Sequence, residues 1–241
     1  MIIIFSIIQA LLFLLTIIFP SAAVPIRMTI SFTFLLFVLI KLFCQKPASY
    51  YKFLALGLLA CFTGDLFLSD VIPISASFLG GMAAFGTAQI LFICVFVKIL
   101  KANRIKVFNR RLLRSMLILY SICSVIYIII AKYSTTSTEI KLGILGYSLL
   151  LCTMASFAIS LTNINNRCWI IAIGAILFVI SDMIIGLTGF DILYIPAKDF
   201  VIWGTYVAAL MGMVYGISSN SVLLLKYKGL LQYNIQEKLS A

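Results

Sequence analysis

The segment GLLACFTGDLFLSD, residues 57–70, places Asp65 within an apolar run long enough to cross a membrane. The segment GAILFVISDMIIG, residues 174–186, repeats this pattern, with Asp182 again eight residues after a glycine. A carboxylate in hydrocarbon is unfavourable by about 2.5–3.5 kcal/mol on insertion scales, so it normally faces the bundle interior and serves a function. One such residue is equally explained as a protonated, hydrogen-bonded aspartate, but two at matching depth predict a shared site.

The composition around these segments is that of an integral membrane protein. The chain has 241 residues, of which 63% are hydrophobic and 10% charged, whereas soluble domains carry about 25% charged residues. Eight apolar runs approach the roughly 20 residues that a helix needs to cross hydrocarbon. They predict an all-α transmembrane bundle forming a single membrane domain over residues 1–241, with spans near 2–19, 27–43, 51–69, 75–98, 112–131, 141–161, 168–188 and 200–225.

The distribution of Lys and Arg predicts the orientation of this bundle. Most of the 18 basic residues lie in the second and fourth loops and in the C-terminal tail. Because basic loops remain on the cytoplasmic side, both termini are predicted to be cytoplasmic, in a bacterial inner membrane. The basic segment 98–114 is therefore interpreted as a topological signal rather than a nucleic-acid site, and the predicted partner is the bilayer, with no nucleic acid.

Residue types that are missing restrict the possible chemistry. The chain has no histidine, which excludes histidine-dependent triads and proton relays. Its six cysteines never occur as C-x-x-C and form no metal or disulfide signature. We therefore predict no metal and no cofactor, and acid–base chemistry that uses carboxylates, lysine, cysteine or tyrosine.

The spans that follow each aspartate supply further polar groups. Gln89 lies in GGMAAFGTAQILF, and Thr205 and Tyr206 lie in WGTYVAALMGMVYG. Gln89 and Tyr206 could equally lock helices together or orient a substrate. Three other acids lie at span ends or in loops, where solvation is the better explanation: Asp70, Asp191 and Asp199.

The paired motifs resemble the YhhN family of eight-span membrane proteins, whose characterised members are lysoplasmalogenases. The resemblance rests on LGLLACFTGDLFL, GGMAAFGTAQILF, IGAILFVISDMIIGLTGF and IWGTYVAALM, the third being the strongest because it contains Ser181 and Asp182 in order. Two positions depart from the family: Gln89 stands where members commonly have histidine, and Ala209 replaces a polar residue.

The resemblance implies hydrolysis of the vinyl ether bond of a lysoplasmalogen, giving a fatty aldehyde and glycerophosphoethanolamine or glycerophosphocholine. Asp65 and Asp182 would then be the catalytic acid and base, in either order. The lysolipid substrate would be bound by Gln89, Tyr206, Ser181 and Thr205. An outer-leaflet phosphate could meet one of the cations predicted on that side, which are Arg27, Lys132, Lys141 and Lys198.

Two other classes of function remain open at this point. Asp65 and Asp182 could bind a cation or relay protons in a transporter, although no proline interrupts a span. A non-catalytic lysolipid-binding protein is also compatible, because the family histidine is missing at Gln89.

Overall fold

The computed structural model describes residues 1–45, 48–69, 71, 77–133 and 137–219, and every regular element in these ranges is helical. Several predicted features lie outside them: Asp70, residues 75–76 of the fourth predicted span, residues 220–225 of the last one, and the basic tail. The main helices are α1 (Ile2–Ile18), α2 (Ala23–Gln45), α3 (Tyr50–Leu68), α4 (Ser77–Ala102), α5 (Arg110–Tyr133), α6 (Thr138–Ser160), α7 (Trp169–Gly189), α8 (Lys198–Leu210) and α9 (Gly216–Ser219).

Seven segments of the described chain are long and apolar enough to cross a membrane, which confirms the all-α membrane class. Six are built on α2 to α7, and the seventh combines α8 with α9. The helix α1 is apolar but shorter, with 17 residues. At 1.5 Å per residue it extends roughly 25 Å, against a hydrocarbon core of about 30 Å, so the eighth span stays a prediction.

The helix ends follow the sequence signals closely. Pro25 lies in the first turn of α2, where a missing backbone N–H breaks no helical hydrogen bond, so this helix begins before the predicted residue 27. The last span contains no proline, and a π-helical turn, Met211–Tyr215, joins α8 to α9 within it. Gly212 lies in this turn and touches the backbone of Gly174 on α7.

Glycines allow the two aspartate-bearing helices to pack closely against the helices that follow them. On α3, a Cβ at Gly64 would come within 2.6 Å of the Phe85 ring on α4. On α7, a Cβ at Gly174 would come within 2.7 Å of the carbonyl oxygen of Ala209 on α8. Close contact through small residues is the usual way in which membrane helices associate. The α3–α4 and α7–α8 pairs thus form tight hairpins that hold Asp65 and Asp182 in the bundle.

Candidate functional site

A cavity of about 370 Å³ lies at the end of the bundle where α2, α4 and α8 begin, and both Asp65 and Asp182 line it. The helix α3 supplies Asp65 from its last turn, and α7 supplies Asp182 about two turns before its end. The helices α3 and α7 run in the same direction through the bundle, and the two aspartates lie at similar positions along them. The aspartates therefore lie at similar depths. The prediction that the two carboxylates face a common space inside the bundle is confirmed.

Hydroxyl groups from two other helices hold Asp65. Ser31 Oγ on α2 and the Tyr206 hydroxyl on α8 both donate to Asp65 Oδ2, the second at 3.0 Å. Asp65 is only 4% exposed, so these hydrogen bonds replace the water that its carboxylate loses. In the described part of the chain, Asp65 Oδ1 accepts no hydrogen bond, which leaves this oxygen for a ligand or water in the cavity.

Within the described residues, one hydroxyl donates to Asp182, which borders two cavities. The Tyr147 hydroxyl on α6 donates to Asp182 Oδ2. The second cavity, of about 130 Å³, has an almost entirely apolar lining contributed by α3 to α7. Leu68, Phe85, Asp182 and Ile185 line both cavities. Asp182 therefore lies at the junction between a polar and an apolar compartment, whereas Asp65 lines only the polar one.

Aromatic rings position the Tyr206 hydroxyl. The Tyr206 ring makes edge-to-face contacts with Phe178 and Trp203, both with ring centroids 5.5 Å apart, and with Phe85 at 6.1 Å. Such contacts contribute about 0.5–1.5 kcal/mol each beyond the area that they bury. They hold the ring in one orientation, so the hydroxyl is directed at Asp65 before any ligand arrives.

The four residues predicted to bind substrate occupy different places. Tyr206 and Ser181 line the polar cavity, and Ser181 Oγ also donates to the carbonyl oxygen of Ile202 at 3.1 Å. Thr205 lines neither cavity, because its hydroxyl donates to backbone carbonyls of the preceding turn of α8. Gln89 also lines neither cavity. Contact with substrate stays a prediction for all four residues.

Gln89 occupies an unusual position for a polar side chain. It is fully buried on α4, where it interacts with the Tyr147 side chain, but neither its Nε2 nor its Oε1 makes a hydrogen bond of good geometry within the described residues. An unpaired buried amide is unfavourable by about 1–3 kcal/mol. Gln89 is thus close to the hydroxyl that contacts Asp182, but it lines neither cavity.

Sequence reasoning missed two residues of the site, Ser31 and Tyr147. Each is a polar side chain within an apolar span, which is a signal in principle. The contact with an aspartate depends on the rotation of α2 and α6 about their axes, and an apolar span does not encode this rotation strongly.

The cations predicted on the outer side separate into two groups. Arg27 and Lys198 line the polar cavity. Lys132 and Lys141 line neither cavity, and Lys141 Nζ donates instead to the carbonyl oxygen of Ala131 at 3.0 Å. The polar cavity thus combines the buried carboxylates of Asp65 and Asp182 with two cations. A third carboxylate, the exposed Asp199, also lines it and pairs with Arg27, so solvation does not fully explain this acid.

The fold and this site define an integral membrane protein of the polytopic helical class, with two interior carboxylates on one cavity. The chain belongs to the YhhN family, whose model matches residues 23–217. This range contains α2 to α8 and both aspartates, and residues 1–22, which include α1, and 218–241 lie outside it. No curated protein and no solved structure matches the chain.

Proposed function

We propose that this protein hydrolyses the vinyl ether bond of lysoplasmalogens, releasing a fatty aldehyde and a glycerophospho-alcohol. The observation that carries this proposal is the position of Asp182 at the junction of an apolar and a polar cavity, with Asp65 on the polar side. Membership of the YhhN family, which is associated with lysoplasmalogenase activity, supports it.

The two cavities match the two halves of such a substrate. The apolar cavity has the lining that a hydrocarbon chain requires, and the polar cavity suits the glycerol and its phosphate. Phe78 and Ile122 line the apolar cavity and are 37% and 52% exposed on the bundle surface. The alkenyl chain can therefore enter sideways from the bilayer, which places the vinyl ether at the junction beside Asp182.

The roles of the two acids follow from the orientation of the substrate, whose alkenyl chain lies in the apolar cavity. Hydrolysis of an enol ether begins when an acid protonates the β-carbon, which is the vinyl carbon on the hydrocarbon side. Asp182 borders the apolar cavity, so it is the general acid, with the proton on the Oδ1 that Tyr147 leaves unoccupied. Protonation leaves an oxocarbenium ion, which the carboxylate of Asp65 stabilises across the cavity.

Asp65 then acts as the general base. It accepts a proton from water as the water oxygen attacks the α-carbon, and a hemiacetal forms. In the collapse of the hemiacetal, Asp65 returns this proton to the departing glycerol oxygen and Asp182 takes the hydroxyl proton, so one water is consumed and both acids regain their starting states. The hydroxyls of Ser31 and Tyr206 stabilise the ionised form of Asp65 in its resting state.

The test is aldehyde release from a 1-alkenyl lysophospholipid by the purified protein in detergent. Asp65→Asn and Asp182→Asn each remove a titrating group with little change in size, and each should lower turnover by about a hundredfold or more. The double variant should be scarcely worse than either single variant, because residues that act as one unit are not additive. As a matched control, Glu139→Gln removes an exposed carboxylate that lines neither cavity and should retain full activity.

Two results would contradict the proposal. Absence of aldehyde release by the wild-type protein from any vinyl ether lysolipid would leave a transporter or a lysolipid-binding protein as the alternatives. Turnover that persists in both Asn variants would remove the two aspartates from the mechanism, even if the wild-type protein is active.

We also propose that α1 completes an eight-span topology with both termini in the cytoplasm of a bacterium. The helix α4 begins at the cavity end of the bundle and runs to the opposite end, where the basic segment 98–114 lies. Since basic loops are cytoplasmic, the cavity then opens towards the outer leaflet.

Single cysteines in a cysteine-free background test this orientation. In intact cells, an impermeant thiol reagent should label Ser137→Cys, before α6, and should label Lys106→Cys, between α4 and α5, only after lysis; both positions are exposed. External labelling of Lys106→Cys would reverse the proposed topology.

A further inference from the structure

Arg27 has few polar partners for a guanidinium that is largely buried. Its side chain is only 17% exposed, and its Nε has no hydrogen-bond partner among the residues that the structure describes. Its ion pair from Nη1 to Asp199 Oδ2 is long at 3.9 Å, and Asp199 is 65% exposed. The guanidinium carbon lies 5.6 Å from the centroid of the Trp203 ring. The Trp203 ring therefore helps to position the planar group, and within the described residues its donors make no hydrogen bond.

The chemistry of Arg27 favours a phosphate oxyanion as its ligand. A guanidinium presents parallel donors that match two oxygens of a phosphate, and it is less strongly hydrated than an ammonium, which suits a partly buried site. Lys198 lines the same cavity and supplies a second positive charge. Trp203 contacts the guanidinium and also the Tyr206 ring, which links this position to the group that holds Asp65.

The spacing along α2 matches a glycerol backbone. Arg27 and Ser31 are four residues apart, so they lie on the same face of α2. Ser31 contacts Asp65, and Arg27 lies one turn nearer the end of the bundle. The glycerol of a lysolipid separates its ether oxygen from its phosphorus by a few bonds, a length comparable with one helical turn of about 5.4 Å.

We propose that Arg27, with Lys198, forms the site for the phosphodiester of the lysolipid headgroup, and that Asp199 competes with this phosphate for the guanidinium. The proposal rests on the proposed function, since it places the headgroup of that substrate. When the headgroup binds, the phosphate oxygens take the donors of Arg27, and the long ion pair to Asp199 is released to solvent.

Binding of a ligand that cannot be cleaved separates this proposal from catalysis. The probes are an alkyl-ether lysophosphatidylethanolamine, which lacks the vinyl bond, and the corresponding 1-alkylglycerol, which lacks the phosphate. Trp203 lines the cavity, and Trp169, the other tryptophan, does not. The fluorescence of Trp203 in a Trp169→Phe background therefore reports binding in the absence of turnover.

The expected results differ in direction between variants. Arg27→Gln should weaken binding of the lysophospholipid by roughly 10- to 100-fold, the effect of losing hydrogen bonds to a charged group, and should leave the alkylglycerol unchanged. Arg27→Lys keeps the charge without the planar donors, so it should lose less affinity for the lysophospholipid than Arg27→Gln. Asp199→Asn should tighten binding of the lysophospholipid alone. Lys132→Gln, which removes an exposed cation outside both cavities, is the matched control and should change the affinity for neither ligand.

The outcome that overturns the site is equal affinity of the wild-type protein for the two ligands, a comparison that needs no variant to fold. An equal loss for both ligands in Arg27→Gln would show a structural role and would also overturn it. Inorganic phosphate tests the source of the ligand: if it binds as tightly as the lysophospholipid, the site is one for free phosphate and the headgroup proposal is wrong. If the selectivity is found but no vinyl ether is cleaved, the headgroup site stands and the proposed hydrolysis fails.

Discussion

Replacing Gly174 by alanine should force α7 and α8 apart. The new Cβ would come within 2.7 Å of the Ala209 carbonyl oxygen, 2.8 Å of the Met213 nitrogen and 3.0 Å of the Gly212 carbonyl carbon. All three atoms are backbone atoms, so no side chain can rotate away. The helices must separate until the closest contact lengthens from 2.7 Å to at least the 3.4 Å of ordinary van der Waals contact.

A matched glycine isolates the effect of this clash on stability. Gly146 lies within α6, and a Cβ there meets nothing within 4 Å. Both alanine variants gain the same helix propensity, about 0.5–1 kcal/mol, so this contribution cancels between them. The difference in unfolding free energy is then the overpacking energy, about 1–3 kcal/mol in favour of Gly146→Ala.

The assay is reversible unfolding in mixed micelles with a rising fraction of denaturing detergent, followed by loss of helical circular dichroism. Aldehyde release measured on the same samples should also fall in Gly174→Ala, because the α7–α8 contact places Asp182 relative to Tyr206. Equal unfolding midpoints for the two alanine variants would refute the close backbone contact and, with it, this account of how the site is positioned.

Three further predictions concern individual side chains. Tyr147→Phe removes the donor to Asp182 and should lower the turnover number by roughly 10- to 100-fold; an unchanged rate of aldehyde release would contradict the role of this contact. Gln9→Leu removes the acceptor of the Tyr215 hydroxyl and the donor to Thr33 Oγ1, and it should lower the unfolding free energy by about 1–3 kcal/mol in the same micelle titration. Full stability would contradict the hydrogen bonds that join α1 to α2 and to the last span. Ser148→Phe narrows the apolar cavity and should reduce kcat/KM more for long alkenyl chains than for short ones, whereas an equal loss at every chain length would place the chain elsewhere.

The helices and the two acids were predictable because the apolar runs, and the position of each acid within its run, can be read directly from the sequence. A span must hide about 20 residues of backbone from lipid whatever it packs against, so the apolar runs alone locate α2 to α8. The depth of Asp65 and Asp182 follows from counting residues along spans that run in the same direction. Their shared cavity follows from the unfavourable free energy of facing lipid.

The partners of the acids were not predictable in the same way. Each residue step turns a helix by about 100°, so an error of one residue in the facing direction brings a different side chain to the neighbour. Ser31 and Tyr147 reach the aspartates, while Thr205 turns back to its own helix and Gln89 is buried beside the cavity. In spans that are apolar on all sides, the pattern does not mark the facing side.

The sequence by itself determined that this chain is a helical membrane protein with two interior carboxylates, because burial from lipid depends on composition over each span. Only the tertiary structure decided that Asp182 separates an apolar from a polar cavity, and that Arg27 and Lys198 rather than Lys132 and Lys141 line the polar one. These features arise where four or more helices meet. They depend on the rotation and close approach of helices, as in the contact of Gly174 with Gly212.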